Sequence, residues 1–73
     1  MDIKLLDAAL TTHLSEIRQR LDQAAGIAKA AEGCAEVGNI EEAIEIVLDV
    51  EQLVYEITTL LNAASLMNRI YKT

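Results

Sequence analysis

The segment from Ile40 to Leu61 places the tightest constraint on what this chain can fold into. With Val47 at heptad position a, one column holds Ile40, Val47, Val54 and Leu61. Position d holds Ala43, Val50, Ile57 and Ala64, and position g holds Ile46, Leu53, Leu60 and Met67. A surface helix needs one apolar stripe toward its core. Here three adjacent columns are apolar, and Leu48 and Tyr55 add apolar surface on the far side. Such a helix needs neighbours on at least two flanks. A second helix of the same chain can cover one; the other requires self-assembly or an obligate partner.

The chain has 73 residues, no proline, tryptophan or phenylalanine, and only three glycines. It is 52% hydrophobic, and rich in Ala, Leu, Ile and Glu, which points to an all-α protein in a single domain spanning residues 1–73. Chains this short rarely bury enough core alone and turn to disulfides, metals or oligomerisation. The one cysteine, Cys34, cannot form an internal disulfide, and no dense ligand cluster is visible. Oligomerisation remains.

Helix 1 is expected over about residues 3–36, with Asp2 as a plausible N-cap. Its seam is read as Leu10, Leu14, Ile17, Leu21, Ala24, Ala28, Ala31 and Ala35, spaced by four and three throughout. The first half of that seam is bulky and the second half is alanine. Helix 2, expected over about residues 40–71, runs the other way, from Ile and Val to Ala63-Ala64-Ser65. Folded antiparallel, large residues meet small ones at both ends, as interdigitated packing requires.

The turn is read at residues 37–39. Gly38 suits the left-handed end of a helix, Asn39 is a favoured N-cap, and Glu42 sits where a capping box needs it. The run Gly38-Asn39-Ile40-Glu41-Glu42-Ala43-Ile44 resembles the inter-helix turn of tetratricopeptide repeats over about seven residues, which implies a helix-turn-helix here. The flanking helices are longer than that repeat allows.

The expected fold is therefore an antiparallel hairpin of two long helices, assembling into a four-helix bundle by homo-oligomerisation, first as a homodimer and next as a tetramer. The residues expected at the oligomer interface are Leu14, Ile17, Leu21, Ile46, Val47, Val50, Leu53, Val54, Ile57, Leu60 and Leu61. Leu48, Tyr55 and Leu66 lie outside the three columns and form a possible surface for a further partner, such as another helical protein. Ile70 and Tyr71 are placed to close the open end against Ile3 and Leu6.

Residues able to carry chemistry are few. His13 is the only histidine, followed by Glu16. A metal-binding helical bundle would use Glu-x-x-His pairs on facing helices, and the order here is reversed. His13 therefore reads first as a structural residue and only second as a metal ligand at an oligomer axis. Cys34 has Glu32 and Glu36 beside it, which disfavours a reactive thiolate. No nucleophile–base set can be assembled, a single hairpin offers no deep pocket, and neither an enzyme nor a cofactor is expected.

Arg18, Arg20 and Lys29 are the central bases. In architecture the expected hairpin dimer resembles the small RNA-gripping helical hairpins of the plasmid copy-control Rop type, and that resemblance implies RNA as an alternative partner. The formal charge of −6 argues against it, because nucleic-acid binding leaves a basic footprint. These bases are expected instead to pair with Glu41, Glu45, Glu51 and Glu56 of helix 2. No window approaches the ~18 apolar residues of a membrane span. With no export signal and one free thiol, a cytoplasmic setting is expected. The function read from the sequence is that of a small assembly or adaptor protein working through helix–helix contact.

Overall fold

The computed structural model describes residues 2–72, and these are helical apart from the cap, one turn and one residue at position 49. Helix α1 spans Ile3–Glu36, α2 spans Ile40–Leu48 and α3 spans Val50–Lys72. Asp49 keeps right-handed helical angles (φ −64°, ψ −18°), and its N–H bonds to the Ile46 carbonyl at 3.1 Å. That bond to the third residue back tightens the helix by one turn without reversing it. The second rod, expected as one helix over 40–71, therefore carries an interruption. The chain is an antiparallel hairpin measuring 54 × 14 × 13 Å over its Cα atoms, with α1 packed along both α2 and α3.

The starts of α1 and α2 are capped by side chains. Asp2 Oδ1 accepts the Lys4 N–H at 2.9 Å, and Asn39 Oδ1 accepts the Glu42 N–H at 3.3 Å. At the turn, Gly38 has φ +86°. Its N–H bonds to the Ala35 carbonyl at 3.0 Å, and the Asn39 N–H bonds to the Cys34 carbonyl at 2.9 Å. These two bonds are the paired closure of a Schellman motif, which needs a left-handed residue where Gly38 stands.

The hairpin seam is narrower than its apolar content. On the second rod the buried and half-buried residues include Ala43, Ile46, Val50, Leu53, Ile57, Leu60, Ala64 and Met67, which are the d and g columns. On α1 they include Leu6, Leu10, His13, Ile17, Arg20, Ala24, Ile27, Ala31 and Cys34. The expected seam of α1 is thus half corrected. Leu10, Ile17, Ala24 and Ala31 face the second rod, but their companions are His13, Arg20, Ile27 and Cys34 rather than Leu14, Leu21, Ala28 and Ala35. Both choices satisfy the same four-three spacing. In the observed one Arg20 reaches Glu56 across the seam.

Among the described residues Leu6, Ala31 and Ala43 are the ones buried, at 7%, 7% and 8% exposed. The two alanines oppose each other near the turn, where they let the rods approach closely. At the open end Leu6 and Leu10 pack toward Ala64, Met67 and Tyr71.

Candidate functional site: the apolar side of the hairpin

The seam divides the hairpin surface into two unlike sides. One is polar. There Glu16 and Arg20 of α1 meet Gln52 and Glu56, and toward the turn a groove between Gln23, Gly26, Ala30 and Asp49, Gln52 is lined also by the apolar Ile27, Ile46 and Leu53. Arg20 sits at the centre, with a quarter of its side chain exposed. Its Nε donates to Glu56 Oε1 at 2.8 Å, while its Nη1 donates to the Glu16 carboxylate and to the Glu16 carbonyl at 3.1 Å. Gln52 Nε2 donates to the other oxygen of Glu56 at 2.9 Å. The Gln52 amide and then the Arg20 guanidinium hold the Glu56 carboxyl below the ordinary glutamate value, and hydrogen bonds to Glu16 and Glu56 push Arg20 up. Of the expected pairings between α1 bases and helix 2 acids, Arg20 with Glu56 forms. Arg18 pairs instead within α1, with Asp22 at 3.1 Å.

The other side is apolar. Near the turn Ala28, Ala31 and Ala35 of α1 line a shallow groove with Ile40, Ala43, Ile44 and Val47, and Glu32 is its single charged residue. The same columns continue away from the turn, because residues seven apart return to one face. On α1 the column Leu14, Leu21, Ala28, Ala35 borders the seam; on the second rod it is Ile40, Val47, Val54, Leu61. The six large residues of these two columns are 43% to 58% exposed. None of the eight carries charge.

The structure thus splits the expected interface residues into two groups. Ile17, Ile46, Val50, Leu53, Ile57 and Leu60 are half-buried in the seam of the single hairpin. Leu14, Leu21, Val47, Val54 and Leu61 stand exposed on its apolar side. Leu48, Tyr55 and Leu66 are also exposed, and Tyr55, at 68%, more than any of those six large residues. Ile44 extends the apolar side near the turn and was not singled out in the sequence, since position e carries Glu51 and Thr58 in the following heptads.

His13 is half-buried in the seam, and its Nδ1 lies 2.8 Å from the Ala9 carbonyl. A carbonyl only accepts, so Nδ1 is the donor of this contact. Among the described residues no three His, Cys, Asp or Glu side chains gather as a metal site would require. Cys34 is half-buried beside the turn as a free thiol. No helix is long and apolar enough to cross a membrane among the described residues. Comparison with family models, with curated proteins and with solved structures finds no match to this chain.

Proposed function

We propose that this chain is a non-enzymatic assembly or adaptor protein that acts as a homo-oligomer through helix–helix contact. In this reading two hairpins bring their apolar sides together into a four-helix bundle, with a dimer of dimers as the next larger form. The single observation that carries it is the uncharged, half-exposed double column of Leu14, Leu21, Ile40, Val47, Val54 and Leu61 beside a hairpin core in which, among the described residues, Leu6, Ala31 and Ala43 alone are buried. A hairpin with so little buried on its own gains most from covering that side. A second copy is favoured as the cover because the two columns, from Leu14 to Ala35 and from Ile40 to Leu61, carry no charge. The side therefore complements itself, as an isologous interface must.

The test is Val54→Glu, which puts a carboxylate at the middle of the apolar side. Light scattering after size exclusion is expected to show the oligomer lost, with helicity falling alongside it, because an ionised group without a partner is not tolerated in an apolar interface. A variant with unchanged mass and unchanged thermal midpoint overturns the reading.

A further inference from the structure

Charge along the hairpin is strongly unequal. The turn half, residues 21–55, carries eight acids and a single base, Lys29, for a net charge of −7. The open half, residues 2–20 with 56–72, carries four acids and five bases, for a net charge of +1. The antiparallel fold gathers the acids of both rods at one end, since Glu32 and Glu36 end α1 while Glu41, Glu42 and Glu45 begin the second rod.

From this asymmetry we infer that the second copy docks antiparallel, its turn lying over the open end of the first; the inference rests on the assembly reading above. A two-fold axis along the hairpin would stack the two turn halves, −7 upon −7. A two-fold axis across the hairpin, near Leu21 and Val54, sets each acidic turn half over the partner's near-neutral open half. Repulsion between like-charged surfaces makes the second arrangement the favoured one, most strongly at low ionic strength.

Residues 20 and 56 lie opposite each other across the seam. With about 1.5 Å of rise per residue, Leu14 is level with Leu61, Leu21 with Val54, Ala28 with Val47 and Ala35 with Ile40. An axis across the hairpin at Leu21 and Val54 therefore sets the turn of one copy level with the start of α1 in the other.

The experiment is a spin-label distance measurement on the full-length chain with Cys34→Ala and Val37→Cys. Val37 is at the turn and 81% exposed, so a label there leaves the packing intact. The antiparallel dimer is expected to give a label–label distance of about 45–50 Å, the length of a rod of this many residues. An equimolar mixture with Cys34→Ala, Lys4→Cys chains is expected to add a short distance, under about 20 Å for adjoining helices. A short distance in the Val37→Cys sample alone shows the parallel arrangement and overturns the inference while leaving the assembly reading standing. A single-chain mass with no distance between copies removes both, and points to a different chain as the cover of the apolar side.

Discussion

Arg20 Nε donates to Glu56 Oε1 at 2.8 Å, an ion pair that joins the middle of α1 to α3 on the polar side of the hairpin. The same guanidinium reaches Glu16, and Gln52 donates to the other carboxylate oxygen of Glu56. Such a planar fork fixes the register of the two rods more than it strengthens them.

That register has a pH signature. The Glu56 carboxyl lies below its ordinary value of 4.5 because of Gln52 and Arg20. A carboxyl whose pKa is lowered by folding contributes stability above the unfolded value, and the contribution is lost as pH falls through the folded value. Thermal melts of the parent chain and of Glu56→Gln should therefore converge as pH is lowered through the acidic range below 4.5. Curves that keep a constant separation across that range would count against the pair.

The glycines are expected to respond with opposite signs. Gly38 has φ +86°, so Gly38→Ala should destabilise by about 1 kcal/mol or more. Gly33 lies inside α1 with open space around the position of an added Cβ, and Gly33→Ala should stabilise by about 0.5–1 kcal/mol. Chemical denaturation of both variants at one protein concentration checks the pair of signs. A stabilising Gly38→Ala would contradict the turn described here.

Most of this turn was legible in the sequence, because Gly38, Asn39 and Glu42 each have a backbone reason to stand where they do. The three apolar columns of the second rod were equally plain. Assignment of columns to partners was not. Hydrophobicity ranks Leu14 and Leu21 above His13 and Arg20, and both sets keep the spacing of a seam. Only three-dimensional placement shows that Arg20 turns inward to Glu56 while Leu14 and Leu21 border the apolar side. The interruption at Asp49 had no glycine or proline to announce it, since it shifts a single hydrogen bond.

Close approach near the turn depends on Ala31 and Ala43, both under a tenth exposed. Enlarging either one should force the rods apart. Ala31→Leu and Ala43→Leu are each expected to cost about 1–3 kcal/mol, although both add apolar surface. Unchanged or raised stability in guanidinium melts would show that the rods are not in close contact there.

The two apolar surfaces of the second rod should behave differently. Val47→Gln and Val54→Gln, on the side proposed to meet the second copy, are expected to weaken assembly. Leu48→Gln and Tyr55→Gln, on the far side, are expected to leave the mass in solution unchanged. Sedimentation equilibrium of the four variants separates the cases. A dimer lost with Tyr55→Gln and kept with Val54→Gln would move the interface to the far side.

The central claim is that folding of the hairpin and covering of its apolar side are one event. Native mass by light scattering, taken with far-ultraviolet circular dichroism over a tenfold range of protein concentration, tests it most directly. The account predicts twice the chain mass with full helicity, and a thermal midpoint that rises with concentration. A fully helical single chain, melting at the same temperature at every concentration, would contradict it.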